Sequence, residues 1–243
     1  MRLHRFFAEF DLSQSVIKIT DDSFRHQVKD VLRLREGDSL VLAHNTRVEV
    51  TARITSFLRD GVELVALSHE NVDRETERLI TLYASLIKHD HFEFAVQKAV
   101  ECGVAEIVPI LSDRTEKLRF KEERIQKIIQ EAAEQSGRAY VPKLLPTMSL
   151  PHALQMSSRH DINLFFDVSV EDFFSKKILR NKKNIGVFVG PEGGWSSNEV
   201  VVAKSYTSRT PGKLFFVSLG ELTLRAETAS IIVSFLASHS IGA

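Results

Sequence analysis

Alternating apolar and polar positions dominate the first seventy residues of the chain. Every second residue between 47 and 54 is apolar, which is the period of a strand with one buried face. Short runs rich in β-branched residues predict three further strands, at residues 16–20, 39–43 and 62–67. One apolar face predicts a helix at 23–32, and Arg59-Asp60-Gly61 is typical of a hairpin turn. These elements indicate a small β-barrel that carries one helix.

Beyond residue 78 the pattern changes to apolar runs that alternate with helical periodicity. The polar stretch 71–78 separates the two patterns and is typical of a domain boundary. Continuous apolar runs predict buried strands at residues 79–87, 104–111, 162–166, 185–189 and 214–219. Helical spacing, together with a capping box that begins at Ser196, predicts helices at residues 91–102, 124–135, 196–205 and 226–238. This alternation indicates a mostly parallel sheet with helices on both faces.

Composition and charge exclude several classes of protein. The chain has 243 residues, 43% of them hydrophobic, and 32 basic against 32 acidic side chains, so it is neither disordered nor a polycation. Its single cysteine excludes a disulfide framework and a cysteine-based zinc finger and favours a reducing cytoplasm. No apolar run reaches the ~20 residues of a membrane-spanning helix. If the protein binds nucleic acid, local clusters of charge must supply the attraction.

The segment Gly190-Pro191-Glu192-Gly193-Gly194-Trp195-Ser196 is the most informative motif in the chain. It lies between a predicted strand and a predicted helix, and open α/β sheets bind ligands at the carboxyl ends of their strands. Its glycines permit positive φ angles and close approach of a ligand to the backbone. A tight turn without a ligand is the alternative, but a simple connection does not require three glycines. The motif is neither a dinucleotide-binding fingerprint nor a P-loop, so a phosphate or dinucleotide site has little support.

A second glycine-bearing loop follows the next predicted strand, from Ser218 to Ala229. Two such loops at neighbouring strand ends predict a crevice in which backbone groups bind a ligand. Arg225 and Glu227 are candidates for a role there, although a surface ion pair beside a helix start explains their spacing equally well. Arg138 follows a glycine that ends the 124–135 helix, where it either complements the helix dipole or binds an anionic group.

Two basic clusters are candidates for contact with RNA. Residues 174–183 hold five basic side chains and no acidic one, and Arg2, His4 and Arg5 precede two phenylalanines. A solvated loop or helix end is the alternative for such runs. The nine histidines are scattered; the close pair in His89-Asp90-His91 has no third ligand at metal spacing, so no metal site is predicted.

Six segments resemble one family, in the same order along the chain. They are residues 1–7 (MRLHRFF), 31–38 (VLRLREGD), 97–104 (QKAVECGV), 134–138 (EQSGR), 190–195 (GPEGGW) and 219–229 (LGELTLRAETA). Together they closely resemble RsmE, the bacterial small-subunit (16S) ribosomal RNA uridine-N3 methyltransferases of the SPOUT superfamily. The resemblance extends over essentially the whole chain, and the ordered set makes it specific.

The resemblance implies an α/β fold in two domains. Residues 1–70 are expected to form a PUA-like RNA-binding β-barrel, and residues 71–243 a SPOUT methyltransferase domain. The second domain is expected to contain a mostly parallel sheet and a C-terminal trefoil knot, which nothing in the periodicity predicts. The expected protein is a cytoplasmic homodimer without a membrane segment, and its partner is 16S ribosomal RNA within the small ribosomal subunit.

The cofactor implied by the resemblance is S-adenosyl-L-methionine. Its binding residues are carried over onto the two glycine-bearing loops and one strand end: Phe166, Gly190, Glu192, Gly193, Gly194, Leu219, Gly220, Leu222 and Leu224. The resemblance implies no metal.

Methyl transfer to N3 of a uridine requires loss of the imide proton, and negative charge develops on the base. Arg138 and Arg225 are the expected electrostatic partners, and Glu227 is a candidate for the base. Because N3 lies on the Watson–Crick edge, the target nucleotide must be unpaired or flipped out. The expected RNA-binding residues are Arg2, His4, Arg5 and Arg33.

Two other functions stay open at this point. One is a SPOUT methyltransferase that acts on another RNA or another base atom, and the other is a non-catalytic RNA-binding protein with the same fold. The retained glycine loops argue against the second, because a protein without a cofactor does not need them. A dinucleotide-binding enzyme is disfavoured by the missing fingerprint.

Overall fold

The computed structural model describes residues 3–115 and 121–239, which form two compact units. Unit 1 comprises Met1–Glu75 and Ala133–Val141, and unit 2 comprises Thr76–Ala132 and Pro142–Ala243. The segment Ala133–Val141 is thus part of unit 1 although it lies in the second half of the chain. The sequence pattern assigns it to the C-terminal domain, because the periodicity of strands and helices does not show that so short a segment packs with the other unit.

Unit 1 is built on a five-stranded sheet. Its strands are β1 (Arg5–Phe7), β2 (Val16–Ile19), β3 (Ser39–His44), β4 (Val48–Phe57) and β5 (Val62–Asn71). Their order is β1-β3-β4-β5-β2, with β1 parallel to β3 and the other pairs antiparallel. The four predicted strands are confirmed to within a few residues. The three-residue β1 is too short to produce a pattern.

The predicted alternation along β4 creates the core of this unit. Val50, Ala52 and Ile54 are almost completely buried and pack with apolar residues of the neighbouring strands. Apolar residues at every second position therefore face one side, as the sequence predicts.

The predicted helix of unit 1 is confirmed, but only its first part is α-helical. Helix α1 (Asp22–His26) begins after Asp21, whose carboxylate accepts hydrogen bonds from the backbone N–H groups of Ser23 and Phe24. The chain continues as a wider π-helical turn over Gln27–Val31.

Unit 2 is built on a seven-stranded parallel sheet. Its strands are β6 (Leu79–Ser85), β7 (Glu106–Leu111), β8 (Lys143–Leu144), β9 (Met148–Ser149), β10 (Ile162–Phe166), β11 (Asn184–Val189) and β12 (Leu214–Val217). The order is β12-β10-β11-β6-β7-β8, β9 pairs with β7, and every pair is parallel. The five predicted strands and the parallel sheet are confirmed.

Five helices accompany this sheet in the described residues. They are α2 (His89–Glu101), α3 (Glu122–Ser136), α4 (Leu150–Met156), α5 (Ser197–Arg209) and α6 (Ala226–Ser238). Four of them are predicted; α4 is not, because its apolar residues span only two turns. Helix α6 packs against α2, β6 and β11. Within residues 3–115 and 121–239, no helix is both long and apolar enough to cross a membrane.

Candidate functional site

A cavity of about 290 Å³ opens at the carboxyl ends of β10, β11 and β12. Three segments form its walls: the residues after β10, the glycine loop after β11, and the loop that connects β12 to α6. This is the edge at which parallel α/β sheets bind ligands.

All nine cofactor residues implied by the resemblance line this one cavity. They are Phe166, Gly190, Glu192, Gly193, Gly194, Leu219, Gly220, Leu222 and Leu224. The structure therefore brings together two loops that are separated by a whole helix and strand in the sequence.

Nine further residues complete the lining. They are Asp167, Val168, Val189, Pro191, Trp195, Ser218, Thr223, Ala226 and Ala229. Most are direct neighbours of predicted residues, so widening the predicted segments by one or two positions would have found them. Asp167 and Val168 follow the predicted strand end at Phe166.

Trp195 fixes the glycine loop against β10. Its indole N–H donates a hydrogen bond to the carbonyl oxygen of Phe166 at 3.0 Å, and its ring stacks on Phe165 with 4.6 Å between centroids. A Cβ atom on Gly190 would lie 3.1 Å from the indole. Glycine at position 190 therefore lets the backbone pass close to the ring.

A polar network holds the other end of the loop, where α5 begins. The Ser196 hydroxyl accepts a hydrogen bond from the N–H of Glu199, and the Glu199 carboxylate accepts one from the N–H of Ser196, which confirms the predicted capping box. The Ser196 hydroxyl also donates to Asp113, whose own N–H donates to Glu199 at 3.0 Å. Arg114 donates to the carbonyl oxygen of Gly193. Both ends of the glycine loop are thus fixed.

The second loop depends on glycine for a different reason. Gly220 has a φ angle of +133°, and among the described residues beyond its two neighbours no atom lies within 4 Å of the position of a Cβ atom. The backbone conformation, rather than lack of space, requires glycine here. Leu222, two residues later, is 81% exposed, so its side chain is accessible to a ligand.

Charged side chains meet beside the cavity. Nδ1 of His91 lies 3.8 Å from a carboxylate oxygen of Glu227 and 4.0 Å from one of Glu192. Arg225 lies 4.0 Å from the same Glu227 oxygen, and its side chain is 77% exposed whereas that of Glu227 is 10% exposed. Arg225 and Glu227, two of the three candidate catalytic residues, therefore lie in one cluster with His91 and with Glu192, which lines the cavity.

His91 is a member of this cluster that the sequence analysis did not select. It lies in the first turn of α2, which follows β6 at the same edge of the sheet as the cavity. The one indication in the sequence is the close pair of histidines after a predicted strand, which has no third ligand at metal spacing and so predicts no metal site.

Arg138, the third candidate catalytic residue, lies in unit 1. Its guanidinium pairs with the Glu75 carboxylate at 2.8 Å, and the two side chains are 6% and 2% exposed. The N–H of Ala139 donates to the same carboxylate at 2.7 Å. In this structure the side chain of Arg138 is thus engaged in a buried ion pair of unit 1.

The predicted RNA-binding residues have different surroundings in unit 1. Arg2 lies outside the described residues. His4 and Arg33 are exposed, and Arg33 has a φ angle of +57°. The Arg5 side chain is only 8% exposed; its guanidinium donates to Glu49 at 2.7 Å and to the carbonyl oxygen of Arg138.

Comparisons with known proteins define the family. The sequence profile of the RNA methyltransferase domain matches residues 74–238, well over half of the chain. The ribosomal RNA small subunit methyltransferase E of Rickettsia conorii is 29% identical over 249 residues, which cover 98% of either chain. The enzyme of that name from Neisseria gonorrhoeae, solved bound to S-adenosyl methionine, is 31% identical with a TM-score of 0.83 and covers 96% of this chain and 95% of its own. The chain belongs to the ribosomal RNA small subunit methyltransferase E family.

A second solved structure, of a putative methyltransferase from Legionella pneumophila with its bound cofactor SAM, has the same fold as this family member. It is 26% identical, has a TM-score of 0.85 and covers 96% of both chains. The similarity therefore extends over nearly the whole length of both chains.

The predicted basic cluster at residues 174–183 of this methyltransferase is partly exposed. Residues Lys176–Leu179 form a short 3₁₀ helix that buries Leu179. The side chains of Lys177, Arg180 and Lys183 are exposed. These three cations lie in unit 2, which also contains the cavity.

Proposed function

We propose that this methyltransferase transfers the methyl group of S-adenosyl-L-methionine to N3 of a uridine in 16S ribosomal RNA. The observation that carries the proposal is the cavity between the glycine loop and the loop before α6, at the ligand-binding edge of the parallel sheet. The Neisseria relative, which has the same fold, is solved with this cofactor. The substrate is part of the small ribosomal subunit, so the site of action is the cytoplasm.

The residues around the cavity fit the cofactor. Gly193, Gly194 and Gly220 leave backbone groups accessible to its polar atoms, and Leu222 and Leu224 supply an apolar surface for the adenine. The bound cofactor supplies a methyl group already activated on a sulfonium. The protein therefore has to bind both reactants and orient them, rather than create the reactive group.

The charged groups beside the cavity act on the uracil. Loss of the imide proton leaves negative charge on the base, which the exposed guanidinium of Arg225 stabilises. Glu227 is the candidate for the group that accepts the proton. Arg138 is the second proposed electrostatic partner in this step.

Unit 1 is proposed to bind RNA as a PUA-like domain formed by residues 1–70, with the SPOUT domain in residues 71–243. The contacts are proposed to involve Arg2, His4, Arg5 and Arg33. His4 and Arg33 have exposed side chains. Arg5 is buried in an ion pair with Glu49, so its proposed contribution is to stabilise the fold of unit 1. With zero net charge, the protein makes few phosphate contacts, and a modest dependence of RNA affinity on salt is expected.

The trefoil knot and the homodimer are also proposed for this chain. Apolar side chains exposed on unit 2 support an interface between two copies; they include Phe94, Leu222 and Phe235, which are 47%, 81% and 44% exposed. Leu222 lines the cavity, so an interface that covers it would lie beside the proposed cofactor site.

Mass-spectrometric mapping of ribosomal RNA tests the proposal. Cells that lack this protein should lose one N3-methyluridine in 16S ribosomal RNA, and complementation should restore it. An unchanged uridine profile would refute the substrate. Titration calorimetry with S-adenosyl-L-methionine tests the cofactor separately, and absence of binding would favour a non-catalytic RNA-binding protein. A lost modification on another base atom or another RNA would identify a different SPOUT methyltransferase.

A further inference from the structure

Three elements of unit 2 place titratable side chains at one point, which we call the His91 cluster: His91, Glu192 and Glu227. His91 lies in the first turn of α2 and Glu227 in the first turn of α6, and these two helices pack against each other. Glu192 belongs to the glycine loop and lines the cavity. The cluster is thus built from the ends of elements that the sheet brings together.

Two atoms of the cluster are buried without a hydrogen bond to any described residue. They are Nδ1 of His91 and Oε2 of Glu227. Leaving a buried polar atom unpaired costs about 1–3 kcal/mol, and such atoms call for an explanation in a native structure. At 3.8 Å from a Glu227 oxygen, Nδ1 is a small side-chain rotation away from a hydrogen bond. Such contacts often tighten only when the substrate binds.

The orientation of the imidazole determines which nitrogen is available. Because Nδ1 faces the carboxylates of Glu227 and Glu192, the proton of the neutral ring is best placed on Nδ1. The lone pair then lies on Nε2, at the other side of the ring. On that side the Asp90 carboxylate lies 3.9 Å from Nε2, and the Asp90 side chain is 82% exposed. An imidazole with one nitrogen facing a carboxylate and the other available to the substrate is a frequent arrangement for proton abstraction.

We propose that His91, in place of the Glu227 carboxylate, is the general base that removes the N3 proton of the target uridine, and that Glu227 and Glu192 orient it. This inference rests on the proposed function. In the proton transfer the N3–H bond breaks, its electron pair stays on N3, and the proton passes to Nε2 and later to solvent. Three carboxylates face the resulting imidazolium, those of Asp90, Glu192 and Glu227, and balance its charge.

The test compares His91→Asn and His91→Ala with the wild-type protein. The substrate is the small ribosomal subunit from cells that lack this protein, with radiolabelled S-adenosyl-L-methionine as methyl donor. We expect single-turnover methyl transfer at neutral pH to fall by about 10²-fold or more in both variants, with unchanged affinity for S-adenosyl-L-methionine by calorimetry. His152→Asn, a change at an exposed histidine in the first turn of α4, should leave both quantities unchanged.

The dependence of the rate on pH and imidazole, and the tautomer of the ring, distinguish a general base at His91 from a residue with only a structural role. The deficit of His91→Ala should shrink as the pH rises, because the imide then ionises without a base, and added imidazole should restore part of the rate. A deficit that is independent of pH and imidazole, or a loss of cofactor affinity, would overturn the proposal. Nitrogen-15 spectra of histidine-labelled protein should show His91 with its proton on Nδ1; the Nε2 tautomer would also overturn it.

The outcomes for the base and for the overall function are distinct. If the wild-type protein methylates the subunit and His91→Asn does so equally fast, the role of His91 is refuted and the proposed function stands. If the wild-type protein neither binds the cofactor nor methylates the subunit, the proposed function itself fails.

Discussion

The indole N–H of Trp195 donates a hydrogen bond to the carbonyl oxygen of Phe166, with 3.0 Å between nitrogen and oxygen. This bond ties the loop after β11 to the end of β10, and both residues line the cavity. Trp195 is 7% exposed, so water does not compete for the carbonyl group. A loop with three glycines loses much conformational entropy when it is ordered, and this contact fixes it before a ligand binds.

Trp195→Phe should weaken both the fold and the cofactor site. The substitution keeps an aromatic ring against Phe165 but leaves the carbonyl oxygen of Phe166 buried and unpaired, which costs about 1–3 kcal/mol. Urea unfolding followed by far-ultraviolet circular dichroism measures the stability, since the protein has no other tryptophan to report by fluorescence. Calorimetry should show weaker binding of S-adenosyl-L-methionine.

Tyr206→Phe is the matched control for this change. The Tyr206 hydroxyl is buried and makes no hydrogen bond to the described residues, so its removal leaves no partner unpaired. We expect little change in stability or cofactor affinity. Equal losses in the two variants would contradict the role given to the Trp195 hydrogen bond.

Gly220→Ala should raise the dissociation constant for the cofactor by roughly tenfold, because at a φ angle of +133° a side chain costs about 1–3 kcal/mol of backbone strain. Space is not the reason, since nothing lies within 4 Å of the new Cβ atom. Gly212→Ala provides the control: Gly212 has a φ angle of +73°, equally open surroundings, and a position outside the cavity lining. It should lower stability without changing cofactor affinity. Calorimetry and urea unfolding of both variants measure the two effects.

Burial explains which elements could be predicted from the sequence. Strand β10 and helix α6 have the predicted bounds, because a strand buried on both faces is a continuous apolar run and a packed helix repeats its apolar face. Strands β8 and β9 have two residues each and are defined by their pairing with β7. Their hydrogen bonds are to a distant part of the chain, so no local pattern marks them.

The site was predictable only where its residues are adjacent in sequence. The two glycine-bearing loops stand out as motifs, and they supply most of the cavity lining. His91 and Arg114 follow β6 and β7, and they lie beside the glycine loop because β11 pairs with β6 and β6 pairs with β7. Periodicity identifies strands but not their order in a sheet, so it could not place these two side chains.

A buried polar cluster of unit 2, formed by Tyr83, His160 and Asn163, could not be predicted from the apolar run of β11 that it contacts. Gly186 lies within the apolar run of β11, and a Cβ atom there would lie 2.8 Å from the ring of His160 and 2.1 Å from the side-chain oxygen of Asn163. Nε2 of His160 lies 2.9 Å from the hydroxyl of Tyr83. The glycine makes room for the side chains of His160 and Asn163, which the apolar pattern of the strand does not reveal.

His160 should make the protein less stable as the pH falls. Burial lowers the pKa of His160 from 6.5 to about 4, and the charge of Arg159 adds to the effect. Between these values the unfolded chain binds a proton that the folded chain does not, so the free energy of unfolding falls as the pH decreases. The total effect is roughly 3 kcal/mol, since one pKa unit corresponds to about 1.4 kcal/mol. Urea unfolding at a series of pH values from 4 to 7.5 measures it.

His160→Gln should flatten this pH dependence, because glutamine has no proton to gain. It retains an acceptor for the Tyr83 hydroxyl, so the fold is expected to persist. His152→Gln, at an exposed position, should keep the wild-type slope. If His160→Gln and the wild-type protein have the same slope between pH 4 and 6.5, another group controls the acid sensitivity.

Variants of the buried pair of Arg138 and Glu75 should differ in their free energy of unfolding, and the same variants can test whether Arg138 has a structural or a catalytic role. Glu75→Gln removes the carboxylate that pairs with the buried guanidinium of Arg138, and Arg138→Met removes the guanidinium that pairs with the carboxylate, so each should cost about 3–5 kcal/mol. The double variant should be more stable than the two single losses predict, because both members of the pair are then removed together. Urea unfolding of the wild-type protein, the two single variants and the double variant measures the four free energies of this double-mutant cycle.

Methyl transfer by the same variants, at a temperature where all are folded, then decides the role of Arg138. If Arg138 acts electrostatically on the uridine, Arg138→Met should lose activity at unchanged cofactor affinity while Glu75→Gln retains it. If both variants lose activity equally, or both keep it, Arg138 serves only the fold of unit 1. Its 6% exposed side chain and its hydrogen bonds to Glu75 would then account for the glutamate–arginine pair on structural grounds alone.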